Sequence, residues 1–173
     1  MNADARNSRT PIRIMVVDDH PIVREGFGSM IGTEPDMRVV AEARSGDEAI
    51  VLFRQHRPDV TLMDLRMPGR NGVDTIDAIR REYPHSRFIV LTTYDGDEDI
   101  YRALEAGAQA YLLKDMLFDE ILTAIRAVHA GQRRIPAAVG TRLAKCAGCG
   151  FRIEVRAHDD ATGTCPRCGR GDL

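Results

Sequence analysis

Acidic side chains follow two apolar runs in this 173-residue chain that we predict to be strands. Asp18 and Asp19 come directly after Ile12–Val17, and Asp64 comes directly after Asp59–Met63. If the two runs are neighbouring parallel strands, their carboxyl ends bring the three carboxylates together. Carboxylates at such close range repel one another, and a hard divalent cation relieves the repulsion. The pattern therefore predicts an Mg²⁺ site that keeps waters and substrate phosphate oxygens as its other ligands.

Two further polar side chains end later runs of the same kind. Thr92 follows Arg87–Leu91 and supplies a hydroxyl, and Lys114 follows Ala110–Leu113 and supplies an ammonium group. Lysine is scarce, because only Lys114 and Lys145 occur among the 24 basic residues. An acidic metal site with one hydroxyl and one ammonium group is suited to handling a phosphoryl group on a carboxylate.

Alternating strands and helices are needed to position these side chains. The apolar runs are short, rich in Val, Ile and Leu, and mostly do not alternate with polar residues, as is typical of strands buried on both faces of a parallel sheet. The predicted strands are Ile12–Val17, Met37–Ala43, Asp59–Met63, Arg87–Leu91 and Ala110–Leu113. The predicted helices are Pro21–Ile31, Gly46–His56, Val73–Tyr83, Asp97–Ala106 and Asp119–Ala130. Five such pairs predict an α/β fold, a doubly wound five-stranded parallel sheet.

Local signals mark several helix ends. Ser45 is a predicted N-cap, and Glu48 completes a capping box with it. Gly107 is a predicted C-cap, because glycine adopts the left-handed conformation there without a steric penalty, and the last helix is predicted to end at Gly131.

Two nucleotide-binding interpretations are disfavoured. Gly26, Gly28 and Gly32 resemble a dinucleotide fingerprint, but they fall inside a predicted helix and not in the turn after the first strand. An acidic pair in that turn would also repel a flavin phosphate. The scattered histidines are interpreted as surface or packing residues and not as ligands; they include His20, His56, His85 and His129.

Four segments, in order and at matching spacing, resemble a bacterial response-regulator receiver domain, which is a flavodoxin-like fold. They are VVDDHPIVREG, TLMDLRMPGRNG, IVLTTYD and AGAQAYLLKD. The L-L-K-D ending of the last segment resembles the NarL/FixJ branch. The resemblance covers about residues 12–130.

The resemblance implies a role for each residue of the acidic site. Asp64 would be the phosphoacceptor in two-component signal transduction, with a cognate histidine kinase as the donor. Asp18 and Asp19 would hold Mg²⁺ together with Asp64, and the backbone carbonyl of Arg66 would complete the protein's share of the ligands. The protein would not be an enzyme in its own right, beyond intrinsic phosphotransfer and autodephosphorylation.

The resemblance also implies a conformational switch. Thr92 would be the switch hydroxyl, and we prefer it to the adjacent Thr93 because it directly follows the apolar strand. Lys114 would pair with the phosphate, and Tyr111 would change rotamer on activation. The face made by the fourth helix, the fifth strand and the fifth helix is then expected to bind a partner or to form a homodimer.

The last 43 residues depart from the NarL/FixJ pattern, which usually continues into a helix-turn-helix DNA-binding domain. RIPAAVGTRLA still resembles the linker of that branch. All four cysteines follow it, as Cys146, Cys149, Cys165 and Cys168, in the spacing C-x₂-C-x₁₅-C-x₂-C. This spacing predicts a Cys₄ zinc ribbon in place of the helix-turn-helix domain. A redox dithiol pair is the alternative, and His158 is the alternative ligand.

The charge of the tail bears on its output. Residues 131–173 carry 8 basic and 4 acidic side chains, a net charge of +4. Four thiolates and one Zn²⁺ lower that to about +2, which is little for binding to a phosphate backbone. We therefore expect a zinc ribbon that acts by protein interaction, with an unidentified output partner. A transcription regulator that contacts DNA through the ribbon is the alternative.

The division into domains follows from these patterns. We predict a disordered N-terminus at residues 1–11, the receiver at 12–130, a linker at 131–145 and the ribbon module at 146–173. Hydrophobic residues make up 43% of the chain, which is enough for a core. No apolar run approaches the roughly 20 residues that span a bilayer, and no signal peptide is evident, so we expect a cytoplasmic protein without a membrane partner.

Overall fold

A central sheet with helices between its strands makes up most of the computed structural model, which describes residues 10–93, 102–134, 144–145 and 152–153. The strands of this sheet are β1 (Ile12–Val17), β2 (Met37–Ala43), β3 (Val60–Asp64), β4 (Phe88–Thr92) and β5 (Ala110–Leu113). The helices are α1 (Pro21–Gly32), α2 (Gly46–His56), α3 (Gly72–Glu82), α4 (residues 102–105) and α5 (Phe118–His129). None of the helices in these ranges is long and apolar enough to cross a membrane.

All five strands pair in parallel, in the order β2-β1-β3-β4-β5. The predicted doubly wound parallel sheet is therefore confirmed. Because β1 and β3 are neighbours, the residues at their carboxyl ends lie at one place on the edge of the sheet. The glycines Gly26, Gly28 and Gly32 lie within α1, which ends at Gly32, one residue later than the predicted helix.

Each face of the sheet is covered by its own apolar core, which explains why the strands lack polar alternation. Ile14, Val16 and Leu62 face the core that contains Ile31 of α1 and Ile125 of α5. The alternate strand residues face the second core with α2 and α3; its members include Met15, Met63, Tyr111, Phe53 and Ile79. The two cores hold the sheet rigidly between layers, so its carboxyl edge is a fixed platform for side chains.

Two strands end one residue later than predicted. Asp64 is the last residue of β3 and pairs with Leu91, and Thr92 is the last residue of β4 and pairs with Leu113. The backbone ladder continues past the apolar residues, since the amide of Lys114 still donates to the carbonyl oxygen of Thr92 at 2.8 Å. These two polar side chains therefore extend from the sheet itself. Of the predicted helix Asp97–Ala106, residues 97–101 lie outside the described residues.

The predicted helix ends are largely confirmed. Ser45 caps α2 by accepting a hydrogen bond from the amide of Glu48, while the carboxylate of Glu48 accepts from the amide of Arg44 and not from that of Ser45. Gly107 and Gly131 have φ values of +99° and +86°, in the region that favours glycine.

After α5 the chain runs beside β5, which is the outermost strand on one side of the sheet. The amide of Arg134 donates to the carbonyl oxygen of Gln109 at 2.9 Å, and the amide of Tyr111 donates to the carbonyl oxygen of Arg134 at 3.3 Å. This bridge is parallel and covers part of the edge of β5. Beyond it, β6 (Ala144–Lys145) and β7 (Arg152–Ile153) form a separate antiparallel pair.

Candidate functional site

Two buried aspartates lie at the carboxyl ends of neighbouring strands. Asp18 directly follows β1 and Asp64 ends β3, and only 2% of Asp18 and 4% of Asp64 is exposed. Burial penalises the charged form of a carboxyl group, and the pKa of Asp64 is raised above its ordinary value mainly for this reason. The proximity of the two carboxylates, expected from the sequence, is present in the structure.

Lys114 bridges these two carboxylates from the end of β5. Its Nζ lies 2.6 Å from Asp18 Oδ2 and 2.8 Å from Asp64 Oδ2. Burial alone would lower the pKa of Lys114, but hydrogen bonds to Asp18 and Asp64 outweigh it and raise that pKa. The predicted ammonium group therefore lies in direct contact with the predicted acidic pair.

The turn between β1 and α1 is held by hydrogen bonds to Asp18. The amide of His20 donates to Asp18 Oδ1 at 2.9 Å, and the guanidinium of Arg24 donates to the carbonyl oxygen of Asp18 at 2.6 Å. Pro21 starts α1 at once, where its fixed φ suits the first helical position. The turn therefore keeps Asp18 and the following Asp19 beside the end of β3.

The donor atoms at this edge fit a divalent cation. Asp18, Asp19, His20 and Asp64 each offer a ligand atom, and these four atoms all lie within 4.8 Å of one another. Asp19 Oδ1 is buried and has no hydrogen-bond partner among the described residues. A set of three carboxylates with a single bridging ammonium group matches the oxygen ligands that Mg²⁺ prefers. His20 was predicted to be a surface or packing residue and not a ligand; its side chain is exposed, but it offers one of these four atoms.

Arg66 follows Asp64 by two residues. Its amide donates to Asp64 Oδ1 at 3.2 Å, so both carboxylate oxygens of Asp64 are contacted, one by Arg66 and the other by Lys114. The predicted role of the Arg66 carbonyl as a metal ligand stays a prediction.

The predicted switch residues lie in adjacent strands. Thr92 is buried at the end of β4, one residue beyond the pairing partner of Asp64, whereas Thr93 is exposed. This difference supports the choice of Thr92. Tyr111 is fully buried, in the core that also contains Ala103 of α4 and Ala108. In this structure the aromatic ring is therefore already turned inward.

Gly72 lets the start of α3 approach the end of β3, and it is not among the predicted site residues. A Cβ atom there would lie 2.2 Å from the carbonyl oxygen of Asp64 and 2.8 Å from Leu65 Cα. The amide of Gly72 donates to the carbonyl oxygen of Leu65 at 3.0 Å. Because it has no side chain, α3 can start directly against the end of β3. Asn71, directly before it, is the N-cap of α3, but a helix cap in the sequence does not indicate a close approach to Asp64.

The predicted zinc ligands Cys146, Cys149, Cys165 and Cys168 lie outside the described residues. The backbone of their surroundings is described only at β6 and β7. In sequence, the first cysteine pair falls between these two strands.

Comparisons with known proteins agree with this geometry. Residues 14–126 match the family model of the response regulator receiver domain. The chain is 41% identical over 125 residues to the uncharacterized transcriptional regulatory protein YxjL of Bacillus subtilis, covering 72% of this chain and 57% of that protein. It is 38% identical over 138 residues to the nitrate/nitrite response regulator protein NarL of Escherichia coli K12, covering 80% of this chain and 64% of that protein. The chain thus spans less than two thirds of these curated relatives.

The fold comparison points the same way. A crystal structure of a two-component response regulator of the LuxR family, from Aurantimonas sp. SI85-9A1, superposes with a TM-score of 0.71 at 39% identity. The superposition covers 75% of this chain and 93% of that one. In sequence and in fold, the chain belongs to the response regulator receiver domain family, in its NarL (LuxR) branch.

Proposed function

We propose that this protein is a phospho-accepting response regulator of two-component signalling, with Asp64 as the acceptor and a histidine kinase as the donor. The observation that carries the proposal is the contact of one ammonium group with two buried carboxylates, Lys114 with Asp18 and Asp64, at the carboxyl edge of the sheet. Receiver domains bind Mg²⁺ at such an acidic site, and the oxygen donors of Asp18, Asp19 and Asp64 fit that ion.

The chain's own residues account for the transfer. A carboxylate oxygen of Asp64 forms a bond to phosphorus while the bond from phosphorus to the donor atom breaks, and the electron pair leaves with the donor. Arg66 holds one oxygen of Asp64 through its amide, and Lys114 lies where it can neutralise charge on the transferred group. Bound Mg²⁺ supplies further neutralisation of that charge.

The acceptor can be approached from the exposed rim of the site. Ile22, in the first turn of α1, is 83% exposed, and Leu117 and Phe118 at the start of α5 are also exposed. Both helices start at the carboxyl edge, so apolar side chains flank the loops that carry Asp18 and Lys114. An exposed apolar rim of this kind suits a docking kinase.

Phosphorylation is proposed to act through Thr92 and Tyr111. The hydroxyl of Thr92 would bond the new phosphoryl group, and the inward rotamer of Tyr111 would then be favoured. The surface made by α4, β5 and α5 is the proposed surface for a partner or a homodimer. The protein would catalyse only its own phosphotransfer and its own dephosphorylation, and we propose that it acts in the cytoplasm.

The test is to incubate the full chain with a small phosphodonor and to locate the modification by peptide mass spectrometry. We expect one acyl phosphate per chain, on Asp64, that forms with Mg²⁺ and not with a chelator. Modification at another residue, or full modification without a divalent cation, would contradict the assignment. Borohydride reduces the labile acyl phosphate, releases the phosphate and converts the modified aspartate to homoserine, which marks the acceptor permanently for the mass analysis.

For the tail we propose a Cys₄ zinc ribbon at residues 146–173, joined to the receiver at 12–130 by a linker at 131–145, with residues 1–11 disordered. The spacing of Cys146, Cys149, Cys165 and Cys168 supports it. The antiparallel pairing of Lys145 with Arg152 adds support, because a short hairpin around a C-x-x-C pair is compatible with a zinc knuckle.

Zinc content measured by atomic spectroscopy tests this part, with the protein purified under reducing conditions. We expect one ion per chain, its loss in Cys165→Ser, and its retention in His158→Gln. A segment this short has too little core to fold alone, so loss of zinc should collapse the amide dispersion of the tail while Asp64 still accepts phosphate. Zinc-free protein with an ordered tail would contradict the zinc site and favour a disulfide.

The proposed output is a protein interaction made by the ribbon. The alternative is that the ribbon contacts DNA. Its support is that relatives such as YxjL are described as transcriptional regulatory proteins. The two are separated by a salt titration of binding to random-sequence DNA, run beside a pull-down with wild-type and Cys165→Ser protein. Steeply salt-dependent DNA binding that Cys165→Ser removes would favour the alternative.

A further inference from the structure

His20 places a ring nitrogen among the carboxylates of the acidic site. Its Nδ1 lies 3.2 Å from Asp18 Oδ1 and 3.0 Å from Asp19 Oδ1. The backbone of His20 is fixed by the hydrogen bond from its amide to Asp18, so the ring is carried by the same turn that carries both aspartates. The side chain is 67% exposed, which leaves the ring at the mouth of the site.

Of the two short distances from His20 Nδ1, only the one to Asp18 is a hydrogen bond. The ring nitrogen is within hydrogen-bond geometry of Asp18 Oδ1, but Asp19 Oδ1 has no hydrogen-bond partner among the described residues even though the nitrogen is 3.0 Å away. Two ligands at right angles, each about 2.1 Å from one cation, lie about 3.0 Å apart. The separations of His20 from Asp18 and Asp19 match that edge length.

The donor chemistry distinguishes between metals. Mg²⁺ takes oxygen ligands almost exclusively; Mn²⁺ shares its preference for carboxylate oxygen but, like the other first-row transition ions, also accepts an imidazole nitrogen. We propose that His20 is a nitrogen ligand of the cation at this site, and that it shifts the selectivity of the site from Mg²⁺ towards transition ions such as Mn²⁺. The inference rests on the proposed function, because it assumes that Asp18, Asp19 and Asp64 hold the cation.

The experiment measures Mn²⁺ and Mg²⁺ affinities of the unphosphorylated full chain, for wild type, His20→Gln and His85→Gln. Glutamine keeps a side-chain amide that can hydrogen-bond to Asp18. His85 is exposed in the turn after α3, so it is the matched control. We expect His20→Gln to weaken Mn²⁺ binding by about tenfold or more and to leave Mg²⁺ binding within about twofold. His85→Gln should bind both ions as wild type does.

Electron spin echo spectroscopy of the Mn²⁺-bound protein supplies a direct readout. A bound imidazole nitrogen modulates the echo, and this modulation should be present in wild type and His85→Gln and absent in His20→Gln. Mn²⁺ bound without nitrogen modulation, or an unchanged ratio of the two affinities in His20→Gln, would overturn the inference while Mg²⁺-dependent phosphorylation still stood. Failure of wild type to bind either ion would overturn the inference and the proposed cation site together.

Discussion

Charged side chains cluster at both edges of the sheet, but the two clusters differ in burial. At the edge where the strands begin, the amino edge, Asp36 directly precedes β2. Arg126 of α5 donates there to both oxygens of Asp36 at 2.8 and 2.9 Å and to one oxygen of Glu34 at 2.6 Å. All three side chains are partly exposed, so water shares in their solvation. The hydrogen bond from Arg126 lowers the pKa of Asp36, and the bonds to Asp36 and Glu34 raise that of Arg126. This cluster is satisfied without any further ion.

At the carboxyl edge the balance of charge is different. Asp18 and Asp64 are almost fully buried, Asp19 adds a third carboxylate, and Lys114 is the cation that contacts the buried pair. Burial removes the water that the amino-edge cluster retains, and the pKa of Asp64 is raised as a result. Comparison of the two edges indicates that burial of the carboxylates, more than their number, makes a bound cation favourable.

The largest expected difference between the edges is in phosphorylation. Asp64→Asn should abolish phosphorylation by a small phosphodonor in Mg²⁺, because the amide cannot form the acyl phosphate. Asp36→Asn, at the amino edge, is the matched control and should be phosphorylated like wild type. Intact-mass spectrometry measures both. Equal loss in the two variants would mean that the acceptor is not singled out by its place in the sheet.

Replacing the basic side chain at each edge, Lys114 or Arg126, should lower the stability of the protein by different amounts. In a chelator at neutral pH, Lys114→Gln should lower the free energy of unfolding by on the order of 3 kcal/mol, because Asp18 and Asp64 lose their buried partner. Mg²⁺ should restore part of that loss by replacing the missing positive charge. Urea denaturation with and without Mg²⁺ is the measurement. A loss no larger than that of Arg126→Gln would contradict the importance of burial.

The backbone support of the carboxyl edge can be tested at Gly72. Gly72→Ala should cost about 1–3 kcal/mol, because its Cβ would overlap the carbonyl oxygen of Asp64, and it should slow phosphorylation by shifting the acceptor. Gly26→Ala is the control, since a Cβ there meets nothing within 4 Å; that variant should be more stable by about 0.5–1 kcal/mol. Thermal denaturation and phosphorylation rates distinguish the two. Equal stability of the variants would show that α3 can move away from β3.

The smallest expected effect is at the amino edge. Arg126→Gln should destabilise the protein by about 0.5 kcal/mol at neutral pH, since exposed ion pairs contribute little. The pKa of Asp36 is lowered from its ordinary value of 3.8 in the folded state. The stabilisation that ionised Asp36 gives the folded protein is therefore complete above pH 3.8. It is lost as the pH falls through the lower pKa that Asp36 has in the folded state. Stability curves of wild type and Arg126→Gln should converge in acid; a constant difference down to low pH would exclude this linkage.

Sequence periodicity was sufficient to predict the sheet and most of the site. Apolar runs without polar alternation must be buried on both faces, which requires parallel strands with helices on either side. Parallel strands end at one edge, so Asp18, Asp64, Thr92 and Lys114 could be assigned to that edge from their positions alone. The helix caps at Ser45 and Gly107 were also predictable, because capping depends on neighbouring residues.

Contacts between distant parts of the chain could not be predicted in this way. Arg126 meets Asp36 across 90 residues of sequence, and Gly72 is required because of the carbonyl oxygen of Asp64, which lies on another element. No local pattern encodes either contact. His20 was assigned to the surface or to packing because a single histidine in a turn carries no signal of where its ring lies.

The sequence by itself determined which groups stand at the carboxyl edge, because strand direction and burial follow from local composition. Only the tertiary structure decided which side chains meet. Lys114 contacts both Asp18 and Asp64, the His20 ring lies beside Asp19, and Tyr111 is turned inward. The physical reason is that these arrangements depend on distances of about 3 Å between side chains from different elements, which close packing sets and sequence spacing does not.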